Sequence, residues 1–392
     1  MYNFNYYTPT EVVFGKAAEE KTGAMLKKYG AKKVLLHYGS GSVIRSGLLN
    51  RIKKSLEEQE IAYVELGGVV PNPRLTKVYE GIELCRKEKV DFLLAVGGGS
   101  VLDSAKAIGY GLVNEGDVWD FYEHTRKASG CMPLGVVVTI AAAGSEMSSS
   151  SVITNEERGM KRGYNDDAGR PKFAIMNPEL TMTLPAYQTS SGCADILMHT
   201  QERYFTSGGN MELTDSLAEG LMRTVITNAK ILMEQPDNYD ARAEILWASS
   251  LSHNGLTGCG IKAGDFVCHA LEHEIGAMFD VAHGAGLAAV WGSWARYVYK
   301  DCLSRFVKFA KNVMLVDMDG SDEEIALAGI EALENFYRAI NMPTNMRELG
   351  VEPTDEQIDA MAHGVALAKG EKFGSAKVLC EADAAAIYRM AR

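Results

Sequence analysis

The feature that most restricts the fold of this chain is a change of period near residue 185. Before it, short apolar runs alternate with stretches of helical spacing. Lys33–Tyr38, Ala62–Leu66, Asp91–Val96, Leu134–Thr139 and Phe173–Met176 read as strands. Between them, Ser42–Gln59, Leu75–Lys87 and a segment starting near Ser100 carry apolar residues at helical intervals. Strands separated by helices of this length pair in parallel, because a parallel neighbour is reached only through a long crossover. After Leu184-Pro185 the two-residue alternation disappears. Stripes such as Glu212–Met233 and Glu323–Ile340 follow, each with one apolar and one charged face. The expected architecture is an α/β, doubly wound, Rossmann-like domain over 1–184 and an all-α helical domain over 185–392.

The 392 residues leave volume for two such cores. Lys and Arg number 40 against 51 Asp and Glu, a formal charge of −11. An acidic surface disfavours nucleic acid or an anionic membrane as a partner. No run reaches the roughly 18 apolar residues of a membrane-spanning helix. The opening MYNFNYYTPT lacks the basic and apolar regions of a secretory signal. Seven scattered cysteines form no CxxC pair and fit free thiols in a reducing compartment. A cytoplasmic protein is expected.

Gly97-Gly98-Gly99-Ser100 falls between a strand and a helix. Glycine there lets the backbone approach a ligand, and a helix N-terminus offers free N–H groups to a pyrophosphate, as in dinucleotide-binding domains. The plainer reading is a turn that needs glycine only for positive φ. Asp103 and Lys106, one turn further on, read by themselves as a solvated i, i+3 pair.

Five of the eight histidines (His199, His253, His269, His273 and His283) fall in the first part of the helical half. Asp195 and His199 are i, i+4 and project from one helix face; His269 and His273 repeat the spacing on a second helix. One carboxylate and several imidazoles from separate helices make a divalent-metal site in a bundle. Each histidine alone would be an ordinary core or surface residue. His269-Ala-Leu-Glu272-His273 also matches H-x-x-E-H, in which Glu272 would be the general base of a metallohydrolase. A peptidase has no use for the glycine-rich turn. Cys193 and Cys268 read as small buried hydrophobes. Ser145 and Ser148–Ser151 lack a G-x-S-x-G elbow and read as a turn with local hydroxyl bonding.

Taken together, these residues resemble the group III, iron-containing alcohol dehydrogenases, most nearly their NADPH-dependent butanol dehydrogenase branch. The resemblance runs over essentially the whole length. It rests on Phe14-Gly15-Lys16, Pro71-Asn72-Pro73, Gly97-Gly98-Gly99-Ser100-x-x-Asp103-x-x-Lys106 and Thr139–Glu146. It continues through Asp195-x-x-x-His199, His253-Asn254-Gly255, His269-x-x-x-His273 and Asp280-x-x-His283-Gly284. It implies an active site in a cleft between the two domains, with Asp195, His199, His269 and His283 holding one iron(II) or zinc ion. It also implies that His273 lies near substrate and nicotinamide and passes a proton. Gly97, Gly98, Gly99 and Ser100 would take the pyrophosphate. Asp103, Thr139, Ser148 and Lys161 would lie nearer the nicotinamide, and Asn72 beside the adenosine. Ala143 stands where many members carry threonine, and Ser148 replaces an asparagine or threonine.

NAD-preferring members resemble one another in placing an aspartate after the first long strand. Here Tyr38 is followed by Gly39-Ser40-Gly41-Ser42, with no acid and no adjacent arginine. Hydroxyls and free N–H groups at a helix start can receive a 2′-phosphate, so NADP(H) is expected over NAD(H). As a plain turn, the same residues would place Ser42 as an N-cap. The implied reaction is hydride transfer between NADP(H) and small primary alcohols or aldehydes, in at least a homodimer with its N-terminal strand near the interface. A glycerol-type dehydrogenase, a dehydroquinate synthase-like lyase and a non-catalytic metal binder remain as alternatives.

Overall fold

A computed structural model describes residues 1–206 and 208–392. The chain divides into two compact units, Thr8–Thr183 and Met1–Tyr7 with Leu184–Arg392. The first seven residues, placed in the first domain by the sequence, thus group with the helical unit, where the Tyr2 N–H donates to the Gly260 carbonyl at 2.9 Å.

In the α/β unit, β1 (Glu11–Phe14), β2 (Lys33–Gly39), β3 (Ala62–Val69), β4 (Phe92–Gly97), β5 (Leu134–Val138) and β8 (Phe173–Met176) form one parallel sheet. Its order is β1-β8-β5-β4-β2-β3. The chain leaves β2 for β3, then crosses back over β2 to β4. The winding direction therefore reverses between β2 and β4, and the crevice at such a reversal is where doubly wound sheets bind ligands. The central strands β4, β5 and β8 are buried along their whole length, as helices on both faces require.

One face, with Val34, Leu36, Leu94, Val96 and Ile175, packs on α1 (Thr22–Lys28) and α3 (Leu48–Glu57). The sequence suggested one helix over Ser42–Gln59. Instead a single turn, α2 (Ser42–Arg45), is separated from α3 at Gly47, whose φ of 72° no regular helix accommodates. The opposite face takes α4 (Leu75–Glu88) and α5 (Gly99–Val113). These helices cross closely: a Cβ at Gly81 would overlap Ile108, and one at Gly111 would overlap Ile82. A short α6 (Trp119–Tyr122) follows. Ser150–Ser151, read as a turn, instead open a hairpin of β6 (Ser150–Asn155) and β7 (Met160–Asn165). Strand β1 lies outside the apolar runs read as strands and is the N-terminal strand that the family resemblance implied.

The helical unit comprises α7 (Ala186–Tyr204), α8 (Glu212–Glu234), α9 (Tyr239–His253), α10 (Val267–Phe279) and α11 (His283–Val298). It is completed by α12 (Leu303–Asn312), α13 (Asp322–Ala339), α14 (Asp355–Lys369) and α15 (Glu381–Ala391). Helix α7 is its axis, packed by α8, α9 and α11 and buried on nearly every side. Capping boxes at Ser321 and Thr354 start α13 and α14 by satisfying N-terminal N–H groups. No described helix is long and apolar enough to cross a membrane.

Candidate metal centre and cofactor site

Because α7 is surrounded, its polar residues must find partners inside the bundle. Asp195 and His199 lie one turn apart on it, and both are buried. His269, on α10, brings Nε2 to 3.6 Å from Asp195 Oδ1. His283, the first residue of α11, brings Nε2 to 3.8 Å from the same oxygen. The His199 ring lies 4.4 Å from that of His269, and the His269 ring 5.3 Å from that of His283. Three of the four side chains are closed off, whereas the His283 side chain is 28% exposed.

Two buried atoms of this cluster, Asp195 Oδ1 and His269 Nε2, have no hydrogen-bond partner among the described residues. Buried polar atoms are seldom left so, and here both face one small space. A divalent cation bound at about 2.1 Å from each donor would satisfy them. Three imidazoles and a carboxylate are borderline ligands suited to iron(II) or zinc. The residues present fit a metal ion.

Two carboxylates orient the rings. Glu202, fully buried on α7, bonds His269 Nδ1 and also accepts its backbone N–H at 3.2 Å. Glu272, on α10, bonds His283 Nδ1. In each ring this leaves Nε2 to face Asp195, the arrangement common around protein-bound metals. Glu202 lies on the Asp195–His199 face, and the i, i+4, i+7 spacing would have revealed it. Glu272 engages His283, so the hydrolase reading loses its general base. Burial raises the Asp195 carboxyl, but the His199 and His283 imidazoles outweigh it and hold the group well below its ordinary range. Burial draws His199 down to about 4 and keeps the ring neutral. His253, unassigned from sequence, stacks edge-on against His199 at 3.9 Å.

His273 stands apart from Asp195 and His199. Its ring is 6.4 Å from His269 and 5.8 Å from His283, in a second group with Glu272. Gly284 sets where α11 starts: a Cβ there would overlap the Ser191 carbonyl of α7. Gly284→Ala is expected to cost about 2–3 kcal/mol by overpacking and to lower metal content by displacing His283. Thermal melting and elemental analysis check this; an unchanged melting temperature would show that the two helices separate freely.

In the α/β unit, Gly39, Gly97 and Thr139 lie at the carboxyl ends of β2, β4 and β5, in register through Tyr38↔Val96 and Gly97↔Val138. The Thr139 N–H donates to the Gly97 carbonyl at 3.0 Å. Gly98 caps α5, and Gly99 and Ser100 form its first turn. None of the three glycines has positive φ. They serve close packing instead: a Cβ at Gly97 would sit 2.5 Å from Val101 Cγ2, and one at Gly98 2.7 Å from Ile140 Cδ1. Asn72 is buried with φ 52°, in the turn between β3 and α4, a conformation asparagine tolerates. Ser40 precedes α2, and Ser42 is its first residue rather than its N-cap, a place that Gly41 takes.

Other residues are engaged within the protein. The Asp103 carboxylate accepts from Ser145 Oγ at 2.6 Å and from the Val152 N–H at 3.0 Å. Ser148 Oγ accepts from the Ser150 N–H at 3.2 Å. Lys161 lies buried on β7 opposite Thr154. Lys106, read as half of a solvated pair, is fully buried. The turn after β2 is also not without arginine. The Arg45 guanidinium folds back over Gly41, its Nη1 2.5 Å from where a Cβ would lie.

The family described as iron-containing alcohol dehydrogenase matches residues 9–178, and its C-terminal counterpart matches 189–392. The chain is 39% identical over 390 residues to NADH-dependent butanol dehydrogenase A of Clostridium acetobutylicum, covering 99% of each. It is 34% identical over 355 residues to an NADPH-dependent aldehyde reductase of Escherichia coli, covering 90% of each. The crystal structure of NADH-dependent butanol dehydrogenase A from Thermotoga maritima superposes with a TM-score of 0.96 at 38% identity, covering 100% of this chain and 99% of that one.

Proposed function

The chain belongs to the iron-containing alcohol dehydrogenase family, and from that premise we propose that it interconverts small primary alcohols and aldehydes with NADP(H), using one iron(II) or zinc ion. That it is an alcohol or aldehyde oxidoreductase follows from the family; substrate size, cofactor preference and metal are this proposal's own. The observation that carries it is the pair of orphaned buried atoms, Asp195 Oδ1 and His269 Nε2, in a cluster whose His283 is partly exposed. A divalent ion there supplies Lewis acidity for negative charge developing on a substrate oxygen. Asp195, His199, His269 and His283 would hold it, while Glu202 and Glu272 keep two of the rings aimed. His273, beside His283 but outside the buried group, would pass the proton, since an imidazole can both accept and give up one. The related enzymes named above are alcohol and aldehyde oxidoreductases, which gives the lyase reading no support.

The test is anaerobic reconstitution with iron(II) or zinc, followed by nicotinamide absorbance with NADPH and butyraldehyde. Oxidation of NADPH is expected. None with any short aldehyde would sink the proposal.

Cofactor preference rests on Gly39-Ser40-Gly41-Ser42 and on Arg45. Since α2 is a single turn, its dipole is small, and the Arg45 guanidinium is a cation beside this turn that could meet a 2′-phosphate. The relatives' names divide between NADH and NADPH. An aspartate at position 39 would have room, its Cβ 3.6 Å from the Val69 carbonyl oxygen. Gly39→Asp is therefore expected to shift the kcat/KM ratio towards NAD(H) by about ten- to a hundredfold, or about 1.4–2.7 kcal/mol. A wild-type ratio already favouring NADH would refute the preference and leave the metal centre unaffected.

A cytoplasmic homodimer completes the reading. The seven cysteines are all free thiols. Strand β1 is an edge strand whose Phe14 is 41% exposed, the kind of edge that a second copy can extend.

A further inference from the structure

Lys106 takes no part in the chemistry above, yet its side chain is 0% exposed. Its ammonium lies in a cage of four oxygens. Nζ donates to the Ser145 carbonyl at 2.7 Å, Ser145 Oγ at 2.8 Å, the Ser148 carbonyl at 3.0 Å and the Ser150 carbonyl at 2.7 Å. Burial pulls the group down to about 8, against the opposing pull of Asp103 and Glu146. A buried charge is retained only where its hydrogen bonds are complete, and here they are.

Three of the four oxygens are backbone carbonyls of 145–150, the irregular stretch that leads into β6. Carbonyl dipoles converging on one point repel each other, and a cation at that point removes the repulsion. Asp103, one turn earlier on α5, binds the same stretch through complementary partners. Its carboxylate accepts from Ser145 Oγ and the Val152 N–H, and its carbonyl accepts from Ser151 Oγ at 2.9 Å. Helix α5 thus begins at the glycine turn and grips segment 145–152 with one anion and one cation.

We propose that Lys106 is a tethered cation that organises segment 145–150 and so positions Ser148 and the β6–β7 hairpin, with Lys161, for the nicotinamide half of the cofactor. This makes it a positioning residue, and the inference rests on the reading of this unit as the cofactor site. Lys106→Met keeps an unbranched apolar stem as far as Cε and removes the ammonium. Lys106→Ala opens a space that matches n-propylammonium, the atoms deleted beyond Cβ.

The experiment measures NADPH affinity by nicotinamide fluorescence on the metal-loaded full chain, with circular dichroism and metal content in parallel. Both variants should fold, keep their metal and bind NADPH about tenfold or more weakly, equivalent to about 1.4 kcal/mol. KM for the cofactor should rise while kcat at saturation changes little. n-Propylammonium should restore binding in Lys106→Ala and not in Lys106→Met, and sodium at equal ionic strength should restore neither. Wild-type affinity in folded Lys106→Met would overturn the inference, as would weakened Lys106→Ala that n-propylammonium leaves unchanged. A wild-type chain that binds no nicotinamide cofactor would overturn the cofactor reading itself, and this inference with it.

Discussion

His269→Ala and His283→Ala should each lose bound metal and activity together, with kcat/KM falling by at least about a thousandfold. The loss follows from the geometry. Asp195 Oδ1 lies 3.6 Å from His269 Nε2 and 3.8 Å from His283 Nε2, so deleting either imidazole opens one side of the cluster. Losing Lewis acidity worth several kcal/mol, at about 1.4 kcal/mol per tenfold in rate, gives that factor. Removing His269 also strands the Glu202 carboxylate, which is fully buried and bonded to that ring. The His269→Ala chain should therefore be the less stable of the two. Glu202→Gln grades the effect: the ligand stays and its orienting charge goes, which ordinarily weakens metal affinity about 10- to 100-fold. Elemental analysis showing full metal in both alanine variants would remove these histidines from the ligand set.

His273→Ala should behave in the opposite way, keeping metal while kcat drops by about 10²–10⁴, the range for a general acid–base group. Its ring approaches His283 at 5.8 Å but lies outside the group of Asp195, His199 and His269. The pH dependence carries the sign. Aldehyde reduction needs a protonated donor, so wild-type kcat should fall as pH rises. Alcohol oxidation needs an unprotonated acceptor and should rise with pH. Both limbs should flatten in His273→Ala. Metal lost in this variant but retained in His269→Ala would mean that the two residues exchange roles.

How far such roles could be read in advance differs from element to element. Asp195 and His199 share one helix, as do His269 and His273, so spacing alone showed which side chains project together. Glu202 continues the same stripe on α7 and was legible in the same way. Its significance was not, because a buried carboxylate matters only once His269 arrives from α10. The role of Glu272 is hidden for the same reason: H-x-x-E-H describes one helix, and the partner that occupies this glutamate begins the next. The β6–β7 hairpin was missed because its strands mix serine, lysine and arginine with few apolar residues, leaving no clean two-residue alternation. Ser42–Gln59 reads as one helix because its apolar spacing is nearly continuous, and the φ of 72° at Gly47 breaks it.

The sequence by itself determined the alternation of the main strands and helices, the change from α/β to helical at residue 185 and the residue pairs that share a helix face. These depend on hydrogen bonds and side-chain directions within a few residues of chain. Only the tertiary structure decided which faces meet. It turned Lys106 from a solvated residue into a buried cation and folded Arg45 over Gly41. It also set His283 of α11 against Asp195 of α7. Those outcomes depend on distances between elements far apart in sequence. Such distances are set by how closely helices approach, as where Gly284 meets the Ser191 carbonyl, and no local periodicity encodes them.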